Sequence, residues 1–239
     1  VGLFDFFGSK KSPVEKHAGR VADRRAQAPD RWDSIQALGA LKSSEAVQAL
    51  LARFTIYADP SITDQEEKDE TFRLIIETGA PAIDPVVAFL RRSESLGWPL
   101  KLLDRLVPAE RVVTELLAVL EKMDTEYERD PTRKIQLLQA LEDRRDERIA
   151  PAVARFLEDV NETARFHAIA ALFAQEDPTP ARAAAQKALS REDSVRGRAR
   201  FLEAFAERGW DVGEGRAAIE NVLPAGWSLD KAGVPRKKG

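Results

Sequence analysis

What most constrains this chain is a two-helix pattern that returns about every 34 residues. Its clearest copy is Arg31-Trp-Asp-Ser-Ile-Gln-Ala-Leu-Gly-Ala-Leu41, then Lys42-Ser-Ser44, then Glu45-Ala-Val-Gln-Ala-Leu-Leu-Ala-Arg-Phe54. Ile35, Leu38 and Leu41 share one helical face, and Val47, Leu50, Leu51 and Phe54 share another. So short a turn makes the two helices antiparallel neighbours. The second helix can be followed along the chain by its apolar anchor. Ile83 precedes Val86, Val87 and Leu90; Val113 precedes Leu116, Leu117 and Leu120; Ile149 precedes Ala152, Val153 and Phe156. A fainter, alanine-rich copy begins near Ala181 and ends at Leu189. From Val47 onward the anchors are spaced by 36, 30, 36 and 32 residues. A degenerate last pair over 194–223 completes six pairs, preceded by one helix over 13–26. The expected fold is all-α.

Boundary chemistry points the same way. Ser12-Pro-Val-Glu15 and Thr63-Asp-Gln-Glu66 have the capping-box pattern. Pro13, Pro29, Pro108, Pro131 and Pro178 fall where first helical turns are expected, and there a missing N–H costs nothing. Pro85 and Pro151 take the same position in two copies. Several first helices open with an acid three residues before an arginine: Glu70/Arg73, Asp130/Arg133, Glu162/Arg165 and Asp193/Arg196. The acid suits the helix N-terminus. The arginine is then free to pair within its own repeat or with the acid of the next.

These openings, the Ala-Leu-Gly-x-Leu first helix and the Ser-Glu-Ala-Val-x-Ala-Leu-Leu second helix resemble HEAT repeats, in particular the short HEAT-like repeats named after phycobilisome lyases. The resemblance covers 31–223 and implies a right-handed α-α superhelix, an armadillo-like solenoid of about six pairs. In the third pair, Trp98-Pro99 departs from the pattern and predicts a kink. In the last, Trp210-Asp-Val-Gly-Glu-Gly215 suits a terminal capping repeat. The organisation expected is an apolar N-terminal segment at 1–11, the solenoid at 12–223 and an irregular, extended tail at 224–239.

Composition narrows the chemistry. The chain has no Cys and two His, which excludes thiolate chemistry and nearly excludes a histidine-rich metal site. Its net charge of −3 argues against nucleic acid as a partner, and residues 61–130 carry 9 Lys+Arg against 16 Asp+Glu. Some HEAT-like solenoids are DNA glycosylases with Trp and Asp beside a basic groove; here Trp32, Trp98, Trp210 and Trp227 read as packing and capping residues. The acidic stretch 124–130 fails the calcium-loop pattern, with Arg129 at its sixth position and Ile135 at its twelfth. The run 64–70 reads as acid loading of a helix N-terminus. Neither His17 nor His167 has a nucleophile motif beside it, and no phosphate loop is present. No catalytic residue, metal or cofactor is therefore expected.

Leu3, Phe4, Phe6 and Phe7 form an unusual apolar cluster followed by Lys10 and Lys11. It reads as a cap over the first helices, as a docking peptide, or as a weak membrane anchor. It is too short, and its charges fall on the wrong side, for a secretory signal. The function expected is a non-catalytic scaffold or adaptor in the cytoplasm that binds another protein. In HEAT proteins the second helices line the concave face, which makes Arg53, Arg91, Arg92, Arg155 and Lys187 the candidate binding residues. The alternative is an accessory protein of the chromophore-lyase kind.

Overall fold

The computed structural model describes residues 12–238. Among them it is all-α, with thirteen α-helices and one short hairpin. The chain forms two compact units, the first ending at Pro108 and the second starting at Ala109.

Unit 1 contains α1 (Pro13–Val21), α2 (Ala28–Leu41), α3 (Ser44–Leu51), α4 (Ser61–Thr78), α5 (Ile83–Arg92) and α6 (Gly97–Leu106). First helices pack on first helices, α2 on α4 and α4 on α6, while α3 packs on α5 and α1 covers α2 and α3. The buried stripes carry the anchors: Ile35 and Leu38 on α2, Val47, Leu50 and Leu51 on α3, Val86 and Leu90 on α5. Gly39 is required where α2 meets α4, because a Cβ there would stand 2.7 Å from the Leu74 side chain. The Ser12–Glu15 capping box forms, with Ser12 N–H donating to Glu15 at 2.7 Å and Glu15 N–H donating to Ser12 Oγ at 3.1 Å.

Three local expectations need correction in this unit. The helix opening at Pro13 stops at Val21, where Asp23 accepts the Arg25 N–H and turns the chain. Thr63 does not begin a capping box, since α4 already starts at Ser61 behind Pro60. Trp98-Pro99 does not kink α6. That helix starts at Gly97, so Pro99 lies in the first turn, where no intrahelical N–H is needed.

Unit 2 contains α7 (Ala109–Leu120), α8 (Thr132–Glu142), α9 (Ile149–Val153), α10 (Glu162–Phe173), α11 (Arg182–Arg191), α12 (Val195–Arg208) and α13 (Arg216–Glu220). A 3-10 segment, Ala154–Glu158, continues α9. Here α8, α10 and α12 pack in one row, and α7, α9 with its 3-10 extension, and α11 in the other. Pro85 and Pro151 both take the third position of their helices, α5 and α9. Trp210 is buried against Phe173 and Phe205, each ring centroid 5.5 Å away, and Trp227 is buried too.

The tail is not irregular. Strands β1 (Trp227–Leu229) and β2 (Pro235–Lys237) pair antiparallel, with Trp227 opposite Lys237, and β2 packs on α12. The turn is built by Asp230, whose carboxylate accepts the N–H groups of Ala232 and Val234, both at 2.9 Å. Gly233 at φ 83° supplies the left-handed residue it needs. No described helix is long and apolar enough to cross a membrane.

Candidate functional site

In unit 1, one of the three charges expected on a binding face, Arg53, is instead inside. Arg53 lies in the 3-10 turn Ala52–Thr55 that follows α3 and is fully buried, so it is withdrawn as a partner-contacting residue. Its Nε donates to Glu67 at 2.8 Å and its Nη2 to Asp64 at 2.7 Å. Arg31 of α2 grips the same Glu67 with two N–H groups, at 2.9 and 3.0 Å. Asp64 also accepts from Lys68 at 2.7 Å and from the Ala58 N–H at 3.0 Å. Burial pushes the Asp64 carboxyl upward, yet the hydrogen bonds from Lys68, Arg53 and Ala58 outweigh it and hold its pKa below the ordinary value. Two guanidiniums and two carboxylates thus balance in the interior, as burial of charge demands. This set joins α2, the 3-10 turn after α3 and α4, and it offers nothing to a ligand.

Arg91 and Arg92, in the last turn of α5, are exposed, with Arg92 lying over the Phe89 ring at 6.0 Å. Their position suits the negative end of the helix dipole. Leu3, Phe4, Phe6 and Phe7 lie outside the described residues.

In unit 2, Arg155 and Lys187 are exposed and equivalent, each six residues past its anchor. Both reach back one repeat. Arg155 donates through Nη2 to the carbonyls of Leu120 and Glu121, and Lys187 pairs with Glu158 at 2.7 Å. Between α7 and α9 lies a groove of about 510 Å³ lined by Leu117, Ala118, Pro151 and Ala152, with Arg148 and Arg155 at its two ends. Arg148 is held by Asp146 at 2.7 Å, Thr114 at 2.9 Å and the Glu110 carbonyl at 3.2 Å.

The opposite row carries the acid-x-x-arginine openings, and there the pairing runs between repeats. Arg165 donates forward to Glu192 at 2.9 Å and Asp193 at 2.7 Å, while Arg196 reaches back to Glu162. The Arg196 hydrogen bond chiefly, against a smaller opposing effect of burial, holds the Glu162 carboxyl at about 2. Arg73 in unit 1 differs, since it folds onto Glu70 and Glu77 of its own helix.

In comparison with known proteins, no family model matches this chain and no curated protein is detectably similar to it. Its chemistry has to be read from its own residues.

Each histidine has a side-chain hydrogen-bond partner. His17 Nδ1 meets Ser34 Oγ at 3.1 Å, but Ser34 is fully buried and already donates to the Asp30 carbonyl. Burial first, then Lys16 and Arg20, lowers the His17 pKa. His167 Nδ1 is hydrogen-bonded to Glu142. Among the described residues, no three His, Asp or Glu side chains converge to hold a metal.

Two groups escaped the sequence reading. Lys134 is fully buried, donating to Asp159 at 2.8 Å and to the Asp124 carbonyl at 2.9 Å, and pairing with Glu128. Burial pushes its pKa down, but Asp159 and Glu128 more than reverse that and leave it raised. The signal was its place on the apolar stripe of α8, one turn ahead of Leu137 and Leu138. Asp64 and Glu67 were visible in the same way, on one face with Thr71, Leu74 and Ile75.

Proposed function

We propose that this chain is a HEAT-like repeat scaffold that binds another protein through its exposed second-helix face and catalyses no reaction itself. The observation that carries this reading is the second-helix row of unit 2. There equivalent cations at 155 and 187 face outward, Arg155 of them beside an open, apolar-floored groove. The most deeply buried cations among the described residues, Arg31, Arg53 and Lys134, are meanwhile balanced internally. Repeat arrays of this kind present continuous surfaces rather than enclosed pockets. Hydrogen bonds that return one repeat back, as from Arg196 to Glu162, support a HEAT-like stack within unit 2.

The test is affinity capture from the native extract with two baits: the wild type and a variant carrying Arg91→Glu, Arg92→Glu, Arg155→Glu and Lys187→Glu. Both must melt at similar temperatures. The expected result is a protein held by the wild type and lost by the variant. Identical captures, or none above bare resin, would overturn the reading.

A further inference from the structure

At one repeat of the second-helix row in unit 2, a cation lacks its counter-charge. Lys187 reaches back to Glu158, which stands nine residues past the anchor Ile149. Arg155 reaches back in the same manner, but nine residues past Val113 the chain has Lys122 instead of an acid. The Arg155 guanidinium therefore caps the end of α7 through Nη2 alone, at 2.8 Å from the Leu120 carbonyl and 3.1 Å from that of Glu121. It lies over Phe156 at 4.6 Å, while its Nε and Nη1 have no hydrogen-bond partner among the described residues. Arg148, at the other end of the same groove, is neutralised by Asp146.

The groove beside Arg155 thus combines an apolar floor with a guanidinium held in place and still offering donors. Its volume of about 510 Å³ lies within the usual range for ligand clefts. An exposed guanidinium alone gains little from a carboxylate in water, so affinity has to come from apolar side chains laid on Leu117, Ala118, Pro151 and Ala152. Glu121 stands at the rim, and its carboxylate has no ion-pair partner among the described residues.

We infer that the groove between α7 and α9 seats an acidic–apolar segment of a partner protein, with its carboxylate on Arg155 and the adjoining apolar side chain on the groove floor. This rests on the scaffold reading above and adds to it the place and the chemistry of recognition. Glu121 opposes the incoming carboxylate and limits the affinity.

Selection of random displayed dodecapeptides on the purified full chain tests this. The expected winners carry Asp or Glu beside Leu, Ile, Phe or Met. A synthetic winner should bind Arg155→Gln about two- to fivefold more weakly than wild type. Ala118→Gln, which only adds bulk to the groove wall, should weaken it similarly, and Glu121→Gln should strengthen it by about two- to fivefold. Should Arg155→Gln prove unstable, the two other variants decide. Winners without an acid, winners indifferent to Ala118→Gln and Glu121→Gln, or no enrichment over bare support would each overturn the inference. Those failures leave the scaffold reading standing as long as the fourfold charge reversal still abolishes capture.

Discussion

In unit 1, Glu67 lies between Arg31 and Arg53 with all three side chains at most 1% exposed, and it joins α2 and the 3-10 turn after α3 to α4. In unit 2, Glu162 and Arg196 join α10 to α12 with their side chains 37% and 51% exposed. The ionic groups are the same and their task is the same, yet their worth differs. Water competes for the exposed pair and salt screens it, leaving roughly 0–1 kcal/mol. In the interior, the cost falls on whichever charge is left alone. Burial, more than charge count, should therefore set how much each link contributes.

Glu67→Gln should have the largest effect, about 3–5 kcal/mol of stability in urea titration, because two buried guanidiniums lose their shared counter-charge. A loss below about 1 kcal/mol would mean that water replaces the carboxylate, and the contrast between the units would break. Lys134→Met sharpens the comparison, since it places the same experiment inside unit 2. It leaves Asp159 buried without its cation and should cost about 2–4 kcal/mol. A near-neutral result would make the difference a property of the units instead of burial.

The smallest effect belongs to Glu162→Gln, at most about 1 kcal/mol and vanishing in strong salt. Its sign with pH is fixed. The carboxyl is depressed from 4.5 to about 2, so its contribution is present above about pH 4.5 and is lost as pH falls toward 2. The wild type should show that slope between these limits and the variant a shallower one, measured by urea midpoints across the acid range. Equal slopes would remove the link between Arg196 and the stability of this row.

What the sequence made legible was local. Val47, Val113 and Ile149 are buried because helical period alone selects them, and Pro85 and Pro151 repeat because the turn chemistry repeats. Partner choice across repeats was not local. Arg53 and Arg155 hold the same repeat position, and reading them alike placed both on the surface. Eleven and fourteen residues past Arg53 come Asp64 and Glu67; the same steps past Arg155 lead to Phe166 and Ile169. Only the first arginine has acids to follow it inward. Within 64–70, five acids look alike until the buried stripe of α4 singles out two of them.

The sharing of Glu67 also sets how this end of the chain opens. If α2 or the turn after α3 detached alone, a guanidinium would leave and strand the carboxylate with one partner, so neither element can fray by itself at low cost. Amide protons of α2, α3 and α4 should then exchange with solvent as one block at one opening free energy. The exposed link between Glu162 and Arg196 imposes no such bond of fate, and α12 can loosen from α10 in smaller steps.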